Sequence, residues 1–414
     1  MRDSSAPHFV GLDIGTSAVR CVVGVVGGEG DARPSIIGHG SSPNLGMRKG
    51  VVVHVEDVTE AVVQAVTEAE RLSGMHINRA TVNINGAHVS GLNSRGVIAI
   101  SAANREITPE DRFRVEEAAA VVKLPPNREI VQLFTKNYSL DGQSNIKDPV
   151  GMHGVRLEAD THIVTAATPN IRNLDMALER AQITPNRHTI SSLAAAEAVL
   201  ARQQKEAGTV LVDIGAGTTN ILVIEDGEVQ HVAVIPVGGQ HITNDLAIGL
   251  KTDLDIAEQV KMAHAGLGAD APKKGVVTVK QGDQEHTFKT ADIFIITEAR
   301  MEELLEYVDK ELRKIQRSRK LPGGAVLVGG TAKLSGLADF TKEKLQLPAR
   351  VGKLQPLAGL IDTVEDTAYC TAVGLMLLDM LLLPENGRGQ TRHNPTAGQF
   401  NVIVGRTLNY FKRH

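Results

Sequence analysis

Apolar and polar positions along this chain repeat one order of segments twice. Two apolar runs separated by a polar turn occupy residues 9–26, and a segment with valines at helical spacing follows at 55–74, ending at Gly74. The same order restarts at 209, with helical segments at 237–250 and 256–266. Alternating strands and helices in two comparable halves predict an α/β architecture built by duplication.

The stretch at 85–162 has a different pattern. It contains short alternating strands such as "GVIAIS" and one helix that begins at Pro109 with Thr108 as its cap, so we predict a small inserted domain. Elsewhere the pattern predicts helices at 171–183, 191–204, about 291–318 and within 366–383, and a polar patch at 268–288.

The end of the chain separates into a linker and an amphipathic segment. Residues 384–399 contain no core-forming residue and predict a flexible linker. At 3.6 residues per turn, one face of the segment that follows is apolar and the other includes a basic cluster. The apolar face holds Phe400, Ile403, Val404, Leu408 and Phe411, and the opposite face includes Lys412 and Arg413. A helix lying in the plane of a membrane is favoured over a core helix.

Composition narrows the class of protein. The 414 residues suffice for two or more domains, and a net charge of -4 gives no reason to expect nucleic acid as a partner. The two cysteines lie in apolar runs, so we expect a reducing compartment without disulfides. The first apolar run is broken by Asp13, and the longest, 373–383, is short for a membrane span and contains Asp379. We expect a cytosolic protein unless another feature holds it to a membrane.

The two polar turns carry nearly the same letters, "DIGTSAVR" at 13–20 and "DIGAGTTN" at 213–220. Glycine lets backbone N–H groups approach a phosphate, and the carboxylate can hold a hydrated Mg²⁺ that bridges to it. One copy alone is also a common hairpin turn. Two copies indicate two hairpins that grip one polyphosphate from opposite sides.

A third motif, "LVGGTAKLSG" at 327–336, leaves room at Gly329 and Gly330 for a flat base, although a plain strand-to-helix turn would look similar. With the hairpins at 11–24 and 210–224, this motif at 326–337 resembles the actin, Hsp70 and sugar-kinase superfamily. Within it, the chain is most similar to the FtsA family of actin-like membrane tethers in bacterial cell division. The segments "INGAHV" at 84–89 and "NIKDPVGMHGVRLE" at 145–158 resemble the FtsA subdomain 1C, which actin and sugar kinases lack.

The resemblance implies an actin-like, two-lobed, duplicated α/β fold with an inserted 1C subdomain and a C-terminal amphipathic helix. It divides the chain as follows: subdomain 1A, first part (1–84); subdomain 1C (85–162); 1A, second part (163–195); 2A, first part (196–250); 2B (251–310); 2A, second part (311–360); a closing helix on 1A (361–383); a flexible linker (384–398); and a membrane-targeting helix (399–414).

The resemblance also implies the residues of an ATP and Mg²⁺ site. Asp13 and Asp213 would lie near the metal and position Mg-ATP for weak hydrolysis. The other implied nucleotide contacts are Gly15, Thr16 and Ser17 in the first hairpin; Gly215, Gly217, Thr218 and Thr219 in the second; the pair Gly238 and Gly239; Glu258 and Lys261; and Gly329, Gly330 and Lys333. From the residues alone, Glu258 and Lys261 would more often be a solvated helix pair.

One departure from related proteins limits the enzymatic expectation. Actin-like proteins and chaperones place a glutamate just before "AAA" to orient the attacking water, whereas this chain has Ser191, Ser192 and Leu193 before 194–196, with Glu197 close in sequence. Whether the protein is an enzyme stays open. We expect ATP binding with at most slow ATPase activity.

The resemblance implies partners as well. The tail of the tubulin-like protein FtsZ would bind subdomain 2B, with Arg300, Arg313, Lys314 and Arg317 as candidate contacts, although a charge run of this kind is usually a solvated face. The protein would form filaments on anionic phospholipid at the cytoplasmic face of the inner membrane, tether FtsZ at the division septum and bind later divisome proteins through 1C. Two alternatives stay open: a PilM-like scaffold of a pilus or secretion apparatus, and a small-molecule kinase of the same superfamily.

Overall fold

The computed structural model describes residues 7–26, 33–101, 104–268, 274–282 and 284–381. The predicted linker at 384–399 and the amphipathic segment that follows lie outside this part of the chain. Among the described residues, no helix is both long enough and apolar enough to cross a membrane.

The elements follow one another in the order that the pattern predicts, with additional short strands. The strands are β1 (His8–Ile14), β2 (Ala18–Val25), β3 (Ser35–Pro43), β4 (Met47–Arg48), β5 (Val51–Val52), β6 (Arg79–Ile84), β7 (Ser90–Ala99), β8 (Arg128–Leu140), β9 (Gln143–Ile146), β10 (Arg156–Ala167), β11 (Thr184–Ile190), β12 (Thr209–Ile214), β13 (Thr219–Glu225), β14 (Glu228–Ile235), β15 (Val276–Gln281), β16 (Gln284–Lys289), β17 (Gly324–Val328), β18 (Ala349–Val351) and β19 (Ala358–Gly359). The α-helices are α1 (Val55–Ser73), α2 (Pro109–Ala120), α3 (Thr168–Arg180), α4 (Ser191–Val199), α5 (Arg202–Ala207), α6 (Gly239–Leu250), α7 (Leu254–His264), α8 (Thr290–Lys314), α9 (Leu337–Leu345) and α10 (Cys370–Met380).

The two halves contain equivalent sheets. In the first lobe the order is β3-β2-β1-β6-β11, with β19 added beside β3, and in the second it is β14-β13-β12-β17-β18. In both, the first three strands are antiparallel neighbours and the last two run parallel to the central strand. The duplication predicted from the sequence is therefore a duplication of sheet topology.

The inserted segment forms a separate sheet, β7-β10-β8-β9, covered by α2. Its helix begins as predicted: Pro109 is the first residue, and the Thr108 side chain accepts the Asp111 N–H while the Asp111 carboxylate accepts the Thr108 N–H. A Cβ on Gly96 would overlap the Val115 carbonyl oxygen, so glycine is needed where α2 crosses β7. The insert also has its own apolar core.

Helix α10 packs against β1 and α4 in the interior of the first lobe. A Cβ on Gly374 would overlap the Ala194 carbonyl oxygen, and one on Gly11 would overlap that of Ala372, so the three elements meet at backbone distance. The buried carboxylate of Asp379 accepts hydrogen bonds from three strands. The donors are Val10 N (3.0 Å), Thr81 Oγ1 (2.7 Å) and Asn186 Nδ2 (3.0 Å).

Three local predictions differ from the structure. The helix predicted at 191–204 is two helices, because Leu200 and Ala201 are extended and Gln204 Oε1 accepts the Ala201 N–H to begin α5. The polar patch at 268–288 includes the hairpin β15–β16. Helix α8 ends at Lys314 and not near 318, because Gln316 is left-handed and Arg317 N–H bonds the Leu312 carbonyl. The predicted 2B boundary at 310 lies inside α8.

Candidate functional site

The two repeated motifs form the same hairpin in each lobe. The Gly15 N–H donates to the Ala18 carbonyl at 3.0 Å, and the Gly215 N–H donates to the Thr218 carbonyl at 2.9 Å. Each aspartate stands directly across its hairpin from a polar partner, Arg20 for Asp13 and Asn220 for Asp213. The two similar sequence motifs therefore adopt the same backbone conformation.

The two hairpins face each other between the lobes. A Cβ on Gly217 would lie 2.8 Å from Thr16 Oγ1, so a larger residue there would displace the Thr16 side chain. Asn85, which follows β6 of the first lobe, donates through Nδ2 to Thr218 Oγ1 at 3.1 Å. The structure thus brings Gly15, Thr16, Gly215, Gly217 and Thr218 to one place.

Asp13 and Asp213 are buried carboxylates at this meeting point, 8% and 7% exposed. Burial raises the pKa of Asp13 to about 7, with Arg20 lowering it and Asp213 raising it further. Burial also raises the pKa of Asp213 to about 6, against the lowering effects of the Asn220 hydrogen bond and of Arg20. Two carboxylates that interact in a buried cleft are the hard oxygen ligands that suit a hydrated Mg²⁺, so the residues fit that ion.

The hydroxyl residues of the hairpins divide into two groups. Ser17 is exposed at the tip of the first hairpin. Thr219, in contrast, is fully buried, and its Oγ1 donates to the Val237 carbonyl at 2.8 Å. Thr219 therefore fastens the second hairpin to the loop after β14, and its hydroxyl is committed to that bond.

The start of α6 rests on the second hairpin. The Gly239 and Gln240 N–H groups donate to the carbonyls of Gly215 (2.9 Å) and Ala216 (2.8 Å). A Cβ on Gly238 would lie 2.5 Å from the Gly215 oxygen, which explains the glycine. Helix α7 adds Lys261, whose Nζ contacts the Gly239 carbonyl (3.3 Å) and Glu258 Oε2 (2.6 Å). Glu258 and Lys261 of α7 thus lie beside the start of α6.

The third motif, at 327–336, packs against the second hairpin. Gly329 has φ +88°, and a Cβ there would lie 2.5 Å from Asp213 Oδ1, whereas a Cβ on Gly330 would have no atom within 4 Å. Thr331 Oγ1 donates to the Gly215 carbonyl at 3.2 Å. Lys333 is half-exposed and pairs with Asp366 at 2.8 Å. The open space at Gly330 is where the sequence predicts the base.

Two residues of this site were missed by sequence reasoning. Asn83 donates to Asp13 Oδ1 (2.7 Å) and to Ser191 Oγ (3.1 Å), and its own Oδ1 accepts the Ile14 N–H (2.7 Å). Arg20 is the cross-strand partner of Asp13, and its guanidinium lies 5.4 Å from the Tyr369 ring centre. The sequence feature that could have indicated them is a polar residue inside an otherwise apolar strand: Asn83 in "RATVNIN" and Arg20 in "SAVRCVV".

The first turn of α4 contains no carboxylate. Ser191 begins the helix beside Asn83, and Ser192 and Leu193 follow. Glu197 lies further along the helix, 9% exposed, and its Oε2 accepts a hydrogen bond from Lys205 Nζ at 2.7 Å. Its carboxylate is therefore held in a buried ion pair.

The four candidate FtsZ contacts do not form one free basic surface. Arg300 bonds both carboxylate oxygens of Asp245 (2.5 and 3.0 Å) and also pairs with Glu303. The other candidates lie at the end of α8 and just after it, beginning about 20 Å from Arg300 along the helix, and they are paired as well. Their partners are Asp309 for Arg313 (2.6 Å), Glu311 for Lys314 (2.6 Å) and Glu225 for Arg317 (2.7 Å).

Solved structures with the same arrangement identify the fold. A PilM protein from a PilM–PilN type IV pilus biogenesis complex superposes with a TM-score of 0.62, at 17% identity over 90% of this chain and 98% of that one. MreB5 of Spiroplasma citri bound to ADP gives 0.53, at 14% identity over 91% and 97%. With two equivalent lobes and a hairpin pair between them, the protein has the actin-like ATPase fold, as predicted.

Sequence comparisons identify the family. The family described as "Cell division protein FtsA" matches residues 210–374, and the "SHS2 domain inserted in FTSA" matches 86–165. Cell division protein FtsA of Pseudomonas aeruginosa is 36% identical over 90% of this chain and 89% of its own length, and that of Bacillus subtilis 38% over 89% and 82%. The chain belongs to the FtsA family of cell division proteins, and the resemblance found in the sequence is confirmed.

Proposed function

We propose that the cleft between the two hairpins binds ATP with Mg²⁺. The observation that carries this proposal is the pair of buried carboxylates, Asp13 and Asp213, at equivalent positions of facing hairpins. Asp13 and Asp213 would hold the metal, which supplies positive charge against the phosphates. The backbones of the hairpins and of Gly238–Gly239 would receive the phosphates, Gly329 and Gly330 the base, and Glu258, Lys261 and Lys333 the rim of the nucleotide.

We propose that the nucleotide acts mainly as a clamp between the lobes and that hydrolysis is slow. Ser191 occupies the start of α4, beside the Asn83–Asp13 hydrogen bond, so the first turn of this helix would offer an attacking water a hydroxyl and no carboxylate base. Asp13, the nearby carboxylate, would be occupied by the metal. Glu197 would have to leave Lys205 before it could act. Because hydrolysis would be slow, the protein would stay in its nucleotide-bound conformation for longer than a single binding event with a partner lasts.

We propose further that the protein self-associates on the cytoplasmic face of the inner membrane and tethers FtsZ at the division septum. Family membership supports the division role, and the amphipathic periodicity at 400–414 supports the membrane contact. Each of the five apolar side chains adds at most about 1.5–3 kcal/mol, and a short helix must fold as it inserts, so a single tail binds weakly and reversibly. In a filament many tails act together, so assembly and attachment reinforce each other.

We place the FtsZ contact on the second lobe, near Arg300 and the end of α8. Because these basic groups already have acidic partners, an acidic peptide must displace Asp245, Asp309, Glu311 or Glu225 to reach them. The contact would therefore be of modest affinity and would depend on many copies. Later division proteins would bind the inserted subdomain. No specific observation favours the pilus scaffold or the small-molecule kinase.

The test is flotation with anionic vesicles. The full chain and a truncation after Leu383 are each incubated with and without Mg-ATP. We expect the full chain to float, to a greater extent with Mg-ATP, and the truncated chain to stay in the dense fraction.

A matched pair of variants controls for charge. Leu408→Glu places a negative charge on the apolar face and should abolish flotation, whereas Asn409→Glu adds the same charge on the opposite face and should weaken it far less. Equal flotation of the full and truncated chains would refute the tether.

A further inference from the structure

The chain enters the inserted subdomain through residues 85–89, and this stem touches the second hairpin. Asn85 uses both ends of its side chain: Nδ2 donates to Thr218 Oγ1 at 3.1 Å, and Oδ1 accepts the Gly86 N–H at 2.6 Å. A Cβ on Gly86 would lie 2.7 Å from the Gly50 oxygen, so the stem also packs tightly on the loop behind the first hairpin. The Asn85 side chain thus links the backbone of the stem, at Gly86, to Thr218 of the second hairpin.

A second contact joins the insert to the second lobe at a different place. His162 of β10 accepts the Val232 N–H at Nε2 (3.0 Å), and its Nδ1 lies 2.8 Å from Asn93 Oδ1. Val232 belongs to β14, the edge strand of the second lobe's sheet. A Cβ on Gly91 of β7 would lie 2.8 Å from the Val232 oxygen and would overlap His162 Nε2, so the two domains meet at backbone distance.

The His162 ring stays in the form that can accept this hydrogen bond at neutral pH. Burial, with smaller effects from His231 and Lys136, lowers the pKa of His162 to about 3. The ring is therefore neutral, and Nε2 keeps the lone pair that accepts the Val232 N–H while Nδ1–H donates to Asn93. The insert is fastened by covalent bonds to the first lobe and by His162 to the second.

We propose that Asn85 is a positioning residue that makes the orientation of the inserted subdomain depend on nucleotide in the cleft. A phosphate bound at the second hairpin draws Thr218 toward the ligand and changes its bond to Asn85. Because Asn85 also orders Gly86, the change passes along the stem into β7, which packs on β14 at Gly91. The inference rests on the proposed nucleotide function and adds to it a path from the cleft to the subdomain expected to bind later partners.

The experiment is hydrogen–deuterium exchange of the full chain, with and without a saturating non-hydrolysable ATP analogue and Mg²⁺. Exchange is followed in peptides that cover β7 and β14. In the unsubstituted protein we expect the ligand to change exchange there by about threefold or more. In Asn85→Ala, studied at a concentration that saturates that variant, the change at β7 and β14 should be lost while the hairpins still respond.

Two further variants separate the path from general loosening. Asn78→Ala alters an exposed asparagine of the first lobe and should keep the full response. Without ligand, His162→Ala should speed exchange at Val232 by about tenfold, whereas His153→Ala, at an exposed position of the insert, should not. If the unsubstituted protein binds the analogue but β7 and β14 do not respond, or if Asn85→Ala still responds, the coupling is overturned. Absence of binding by direct titration would instead overturn the proposed function and the coupling with it.

Discussion

Asp13 and Asp213 each stand one residue before the end of a central strand, where a carboxylate is costly to bury. Both keep a raised pKa in the protein, about 7 and about 6, chiefly because burial disfavours the charged form. Side chains held at such a cost mark a functional cleft more often than a stable core. The stability of the ligand-free protein is thus reduced at the two positions that are proposed to hold the metal.

This cost gives the first prediction. Asp13→Asn keeps the oxygen that accepts from Asn83 but removes the buried charge, so we expect a higher melting temperature without ligand and Mg-ATP binding weakened by about tenfold or more, equal to about 1.4 kcal/mol. Calorimetry and nucleotide titration measure the two effects. Asp255→Asn, at an exposed position, should change neither. A variant that bound Mg-ATP normally would remove Asp13 from the site.

The second prediction concerns pH. The pKa of His162 is about 3 in the folded protein, against 6.5 for an ordinary histidine. Between these values the unfolded chain binds more protons, so stability is present above pH 6.5 and falls as the pH falls through that value. The loss from His162 at pH 5 is at most about 2 kcal/mol. Urea unfolding at pH 7.5 and pH 5 should show a smaller pH effect in His162→Gln, and an unchanged pH effect would contradict the assignment.

At the residue scale, the sequence predicted those parts of the candidate site that occur in both halves. Asp13, Asp213 and their glycines were found because the same letters occur twice. Asn83 was not found, because its contact with Asp13 depends on β6 lying parallel to β1, with Leu12 opposite Val82. Arg20 was missed for a similar reason: its position across from Asp13 appears only once the hairpin register is known.

At the scale of the elements, glycine residues allow helices to pack against neighbouring helices and strands at backbone distance. α10 reaches α4 and β1 only because Gly374 and Gly11 carry no side chain. The helices themselves were predictable from periodicity and caps, as Thr108 and Gly74 illustrate. The exact ends of the helices were less predictable. The break after α4 follows from the extended backbone of Leu200 and Ala201, and the end of α8 follows from a left-handed Gln316.

The third prediction tests this packing. Gly374→Ala would force a methyl group against the Ala194 carbonyl, so we expect the free energy of unfolding to fall by about 1–3 kcal/mol or more. Gly330→Ala has open space around the added methyl and should leave stability within about 0.5 kcal/mol. Urea denaturation compares the two. Equal stability of both variants would show that α10 can shift away from α4.

At the scale of the whole molecule, weak single-tail attachment predicts a cooperative response. With Mg-ATP, the vesicle-bound fraction of the full chain should rise more steeply with protein concentration than simple one-site binding allows. A synthetic peptide of residues 399–414 is the control and should bind without this steepness. Co-sedimentation over a range of protein concentrations measures both curves, and a simple hyperbola for the full chain would argue against assembly on the membrane.

The position of Asp379 also determines how mechanical load would enter the protein. The carboxylate lies near the end of α10, and the predicted linker at 384–398 separates it from the segment proposed to reach the membrane. It accepts hydrogen bonds from β1, β6 and β11. A pull on the tail would therefore first be shared by three strands of the first lobe. A partner held by the second lobe, as proposed for FtsZ, would then transmit such a load through the contacts between the two lobes.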